Sequence, residues 1–133
     1  TLFPYTTLFR SVMETLHLIS SPKNAVHLAK SIAEFRASKA IERELLDETE
    51  DSFTPSAWDD YVYWQSQDKK TLKRINNLIK ECQRTPFEGI GKPEALLGDL
   101  SGFWSRRIDE QHRLVYAATD AEITIIACRY HYE

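Results

Sequence analysis

GFWSRRIDEQHRLVYAATDAEITIIACRYHY, residues 102–132, carries three apolar runs separated by short polar stretches. The runs are GFWSRRI (102–108), HRLVYAAT (112–119) and EITIIACRYHY (122–132), all rich in β-branched and aromatic residues. Tight polar turns between such runs predict an antiparallel meander. Working upstream, FEGIGKPEALLGD (87–99) is framed by glycine and proline and reads as a long loop. A helix is expected over 69–84, capped by Asp68, striped with Leu72, Ile75, Leu78, Ile79 and Cys82, and stopped by Pro86. Another opens at Thr54-Pro55, a cap followed by proline at the first helical position, with Trp58, Tyr61 and Val62 on one face. SFT (52–54) is a short strand candidate. Two helices followed by a meander make an α+β domain over residues 51–133, the helices packed on one face of an antiparallel sheet.

Residues 12–50 have a different texture, helical and charged. Ser21-Pro22 repeats the cap-plus-proline signal, and Ala25, Leu28, Ala29, Ile32 and Phe35 follow at helical spacing. Lys23, Lys30, Glu34 and Arg36 lie opposite that stripe. An isolated amphipathic helix of this length is marginal in water, so the stripe must be buried on something. SKAIERELLDETE (38–50) has only Ile41, Leu45 and Leu46 as apolar anchors and looks built to wrap a partner surface. TLFPYTTLFRS (1–11) is a poor signal peptide. It reads as the translation of a sequencing-library adaptor, an artefact set outside the fold.

A chain of 133 residues with 42% hydrophobic content accommodates one domain and a short appendage. Its net charge of −3 announces no nucleic-acid partner, yet residues 69–113 hold ten Lys/Arg against six Asp/Glu. Such a local basic surplus suits an anionic ligand, and equally a solvated helix face. Cys82 and Cys128 show no metal-binding spacing and read as reduced, buried thiols. No apolar run is long enough to span a membrane. A cytoplasmic protein needing neither a metal nor another cofactor is expected.

If the hairpin loop is residues 109–111, Arg107 lies opposite Arg113 on the same face; a loop of even length would put the two on opposite faces. Two guanidinium groups so placed repel. An anion between them, or an acid that neutralises them, resolves the conflict, and phosphate suits paired arginine forks. The other reading turns both side chains to the rim, paired with Asp109, Glu110 or Asp120. In the last strand, alternation puts Arg129 and His131 on one face, Tyr130 and Tyr132 on the other. His131 is either a proton donor near neutral pH or a surface residue. Glu94, in a proline-framed loop beside Lys92, is either a general base or an exposed loop acid. A carboxylate, paired arginines and a histidine match what metal-free RNA cleavage requires, and no Asp/Glu cluster suggests a two-metal site.

RTPFEGIGKPE, LSGFWSRRI, HRLVY and CRYHY together resemble the YoeB toxins of the RelE superfamily over roughly residues 51–132. The resemblance implies a small α+β RNase fold and a ribosome-dependent mRNA interferase that cuts the codon in the ribosomal A site. It assigns Glu94 as general base, Arg113 as the phosphate-stabilising arginine and His131 as general acid. Arg107, Tyr132 and Lys92 then bind substrate. It also requires Arg113 and His131 to share a face, through an odd-length loop or a bulge around Asp120. Residues 12–50 resemble the toxin-neutralising C-terminal part of YefM-type antitoxins, without the DNA-binding half. The chain thus resembles an antitoxin tail joined in frame to its toxin, with ETEDSF running through the junction and Glu133 added after the usual terminal tyrosine. The implied partners are ribosome-bound mRNA, a YefM-like antitoxin (in trans, or residues 13–48 in cis) and a second copy in a homodimer. Self-neutralisation by residues 13–48 is the alternative to an open ribonuclease. The short linker around residues 49–51 bears on whether cis binding is feasible.

Overall fold

The computed structural model describes residues 3–45, 52–119 and 122–132, with side chains from residue 6 to 38 in the first stretch. Strands β1 (Ser52–Phe53), β2 (Glu94–Ala95), β3 (Trp104–Arg107), β4 (Arg113–Ala118) and β5 (Ile123–Ala127) form one sheet in the order β1-β5-β4-β3-β2. The meander β3-β4-β5 is antiparallel as its turns predict. The whole sheet is mixed, because β1 runs parallel to β5. β1 precedes two helices that carry the chain away, so it can join the far edge in the same direction as the last strand. The expected long loop is also partly ordered. Its Glu94 and Ala95 pair with Ser105 and Trp104, and Gly98–Leu100 forms a 3₁₀ turn.

Helices α3 (Pro55–Gln67) and α4 (Lys69–Arg84) cover one sheet face. Thr54 caps α3 by accepting the Ala57 N–H, and Asp68 caps α4 by accepting from Lys70 and Thr71. Ile75, Leu78, Ile79 and Cys82 are buried as read, with Leu72 at the margin. Trp58, Tyr61 and Val62 share one face of α3, but only Tyr61 packs against the core: Trp58 and Val62 are exposed, while Ala57, Asp60 and Trp64 are buried. Trp58 stacks on Tyr61 and meets Phe53 edge-on at the rim, leaving the buried stripe to Ser56, Ala57, Asp60 and Trp64. Both cysteines are buried.

The opposite sheet face is covered by α1 (Phe3–Ile19) and α2 (Pro22–Leu45). Residues 3–11, set outside the fold on sequence grounds, continue the helix of 12–19 without a break. Ser21 opens α2 as expected, accepting the Asn24 N–H. The buried stripe is rotated from the apolar one: Asn24, Leu28, Ser31 and Ile32 are buried, whereas Ala29 is exposed. Glu34, read as solvent-facing, accepts hydrogen bonds from the backbone N–H and hydroxyl of Ser56 at 2.9 and 3.0 Å, at the N-terminus of α3. That end of a helix favours a carboxylate. Leu18, Leu28 and Ile32 join Leu96, Phe103, Val115, Ala117 and Ile126 in a second core. The linker at 49–51, the anchor Leu46, Asp120 and Glu133 lie outside the described residues.

Two details shape the end of the sheet near Arg107. Arg106 is fully buried and donates to the carbonyls of Thr85, Glu88 and Ile90 and to the Tyr116 hydroxyl. Its guanidinium therefore holds the loop 85–90 closed. Gly91 (φ +83°) passes so near that an added Cβ would lie 2.8 Å from Leu78 and 3.1 Å from Arg106. Replacing Arg106 by Met leaves three loop carbonyls without their charged donor and should cost on the order of 3 kcal/mol. Arg107→Ala, at an exposed position, should change stability by less than about 0.5 kcal/mol. Urea unfolding of the two variants measures the contrast.

Candidate active site

The hairpin register puts Arg107 directly opposite Arg113, with Ile108 N–H donating to the His112 carbonyl across residues 109–111. Both arginines line one cleft of about 650 Å³ together with Lys92, Pro93 and Glu94. Helix α1 forms its other wall through Phe9, Arg10, Met13, Glu14 and His17. Four of the six residues named from the sequence are thus brought together. Lys92 holds a positive φ of 50° in the tight turn before Pro93.

The repulsion between Arg107 and Arg113 is resolved by an acid from outside the sheet. Arg113 Nε donates to Glu14 Oε1 at 2.5 Å, and Ser105 Oγ donates to the same oxygen at 3.0 Å. Arg113 Nη1 turns back to the carbonyls of Asp109 and Glu110 at 2.8 and 3.0 Å. Arg113 and Glu14 are both buried, so this pair is little screened by solvent. Arg107 is exposed and free to meet a ligand from the rim. The Glu14 carboxylate thus serves as the anionic partner of the Arg113 fork. Burial raises the pKa of Glu94, and Glu14 adds to that rise, while Arg10 and Arg107 oppose it. A raised carboxyl pKa suits a general base working near neutrality.

His131 and Tyr132 are not in this cleft. β5 ends at Ala127, so the face alternation expected through Tyr132 does not apply. The cause is a bulge. Val115 pairs with Ala127 and Tyr116 with Ile125, leaving Ile126 as the extra residue, its carbonyl bonded by Ser31. The register shift thus falls at Ile126, beyond the position expected around Asp120. After it, Arg129 lies over Tyr63 on α3 at 3.6 Å, and Tyr130 meets His17 on α1. His131 Nε2 is 2.7 Å from Asp60 Oδ1 and its backbone is held by Asn24 and Ser21. Tyr132 is half exposed and touches Tyr130 edge-on.

Residues 53–132 match the model of the YoeB-like toxin of bacterial type II toxin–antitoxin systems. The chain belongs to that family. It is 64% identical over 80 residues to the toxin YoeB of Escherichia coli K12, a match covering 60% of this chain and 95% of that toxin. The YoeB–YefM heterotetramer from Staphylococcus aureus contains a chain 48% identical, with a TM-score of 0.60, covering 65% of this chain and all of that one. A YoeB dimer from the same organism gives 48% and 0.59. The matched YoeB-like part is therefore the region from β1 to the C-terminal segment, and α1 and α2 precede it. Among the described residues no helix is long and apolar enough to cross a membrane.

Four further residues, Arg106, Glu14, Asp60 and His112, shape the site of the YoeB-like part. Arg106 had a visible signal, since strand alternation puts one of two adjacent arginines inward. Glu14, Asp60 and His112 had none, because their partners are remote in sequence. His112 Nδ1 accepts the Tyr130 N–H at 2.9 Å and so ties the C-terminal segment to the β3–β4 hairpin. Burial holds its pKa below the usual 6.5, with Arg129 and His131 acting the same way against Asp109 and Asp60. A depressed folded pKa contributes stability that is complete above the unfolded value and lost as pH falls below about 6.5. Urea midpoints measured from roughly pH 8 down to roughly pH 5 should therefore fall, and His112→Gln should flatten that decline.

Proposed function

We propose that residues 51–133 are an endoribonuclease that cuts mRNA in the ribosomal A site, and that residues 13–48 hold it inactive within the same chain. The observation that carries the first part is the single cleft holding Glu94, Lys92, Arg107 and Arg113. Glu94 takes the proton from a ribose 2′-hydroxyl, whose oxygen attacks the adjacent phosphorus. Arg113 and Arg107 stabilise the extra negative charge of the phosphorane-like transition state. The bond to the departing 5′-oxygen breaks as His131 gives it a proton, leaving a 2′,3′-cyclic phosphate. Lys92 holds the neighbouring backbone, and Tyr132 offers a ring to an unpaired base.

The inhibitory part is favoured by two contacts. The Glu14 carboxylate sits on Arg113, and His131 is bonded to Asp60 while Asn24 and Ser21 grip its backbone. In this arrangement the anion site is filled and the acid faces away from the base. Lifting α1 and α2 would bare Arg113 and release the His131 backbone, leaving only Asp60 on its ring. The complex and the dimer described for the S. aureus relatives support a YefM-like antitoxin in trans and a homodimer as further states of this cytoplasmic toxin.

A translating bacterial lysate tests both parts. Residues 51–133 should cut mRNA within A-site codons, and the full chain should cut far less. Removing the proton-transfer groups should lower the rate by at least about 10²-fold. Full activity in a Glu94→Ala, Arg113→Ala, His131→Ala triple variant would refute the mechanism. Equal cutting with and without residues 1–48 would remove the inhibitory role.

A further inference from the structure

A side-chain cluster outside the cleft joins three segments that sequence keeps far apart. His27 Nε2 on α2 lies 3.0 Å from Asp60 Oδ2 on α3, and His131 Nε2 lies 2.7 Å from Oδ1 of the same carboxylate. The three candidate donor atoms all stand within 4.8 Å of one another. The two imidazole rings stack with centroids 3.8 Å apart. Asp60 is 1% exposed, whereas both histidines keep one side toward solvent. Burial opposes ionisation of Asp60, but hydrogen bonds from His131, His27 and the Cys128 N–H outweigh it and keep the carboxyl below its usual 3.8.

We propose that His27, Asp60 and His131 form a zinc-binding site that fastens α2 to α3 and to the C-terminal segment. Two neutral imidazoles and one carboxylate supply three positions of a tetrahedral Zn²⁺ centre, and water takes the fourth on the exposed side. This nitrogen-rich donor set excludes Mg²⁺ and Ca²⁺, which take oxygen ligands. Donors at 2.0–2.1 Å from a tetrahedral ion stand about 3.3 Å apart, so the three donor atoms, all within 4.8 Å of one another, close on the ion by at most about 1.5 Å. In the metal-free form each Nε2–H bridges to the carboxylate. On binding, those protons move to Nδ1 and the ion takes their place. Supports for the ligands are already present. The Cys128 N–H holds Asp60 at 3.1 Å, and Asn24 Oδ1 accepts the His131 N–H at 2.8 Å. Such contacts orient ligands and raise metal affinity. The site does not depend on the ribonuclease reading, and either can fail alone.

The test uses the metal-stripped full chain titrated with Zn²⁺ against a chromogenic chelator. One Zn²⁺ should bind per chain, and His27→Gln and His131→Gln should each weaken it at least about tenfold. His17→Gln, outside the cluster, should bind as the parent does. Co²⁺ substituted into the parent chain should show the intense visible bands of a tetrahedral centre, a readout that needs no variant to fold. Zinc should also raise the unfolding temperature of the parent and of neither cluster variant. Absence of bound zinc, an octahedral cobalt spectrum, or equal retention of zinc by both cluster variants would overturn the proposal.

Discussion

The two central strands are apolar on both sides, and the architecture follows from that. β4 and β5 are almost wholly buried, unlike strands of a sheet with one wet face. Leu114, Tyr116, Ile123 and Ile125 face α3 and α4, while Val115, Ala117, Ile126 and Ala127 face the other way. The second set requires a cover. In this chain α1 and α2 provide it with Leu18, Leu28 and Ile32. Burial of a face that must otherwise stay wet or find a partner drives those helices onto the sheet.

Charge is then placed around this core with different consequences on the two faces of one strand. Arg106 and Arg107 are neighbours in β3 and so point to opposite sides. Arg106 goes inward, where four acceptors surround it and it works as a structural clamp on the loop leading to Glu94. Arg107 goes outward opposite Arg113, where like charges are tolerated because Glu14 reaches in from α1. The clamp, the short strand β2 and the hairpin register together position Glu94 facing the arginines.

Much of this was legible along the chain because it rests on local signals. The caps at Thr54, Asp68 and Ser21, the stripe of α4 and the three meander strands all follow from patterns a few residues long, and the Arg107–Arg113 register is one of the two that the hairpin loop allows. What was not legible depends on contacts between distant segments. The buried face of α3 rotated toward Asp60 because His27 and His131 arrive there from elsewhere. The tail beyond Ala127 left the ladder because of a bulge whose carbonyl meets Ser31 on α2. The gathering of Glu94 with the arginines is open to sequence reading through family resemblance. The diversion of His131 is not, since it depends on Asn24 and Ser21, outside the matched region, together with Asp60 and His112 within it.

The attachment of α1 and α2 mixes grease with hydrogen bonds: Glu14, Asn24, His27, Ser31 and Glu34 all reach across to the rest of the chain. Every one of those groups regains water when the contact opens, so separation strands few polar atoms. A seam made this way resembles a transient association more than a domain interior, and its strength is set by solvent competition. Such a joint can hold firmly at rest and still come apart without denaturing either side.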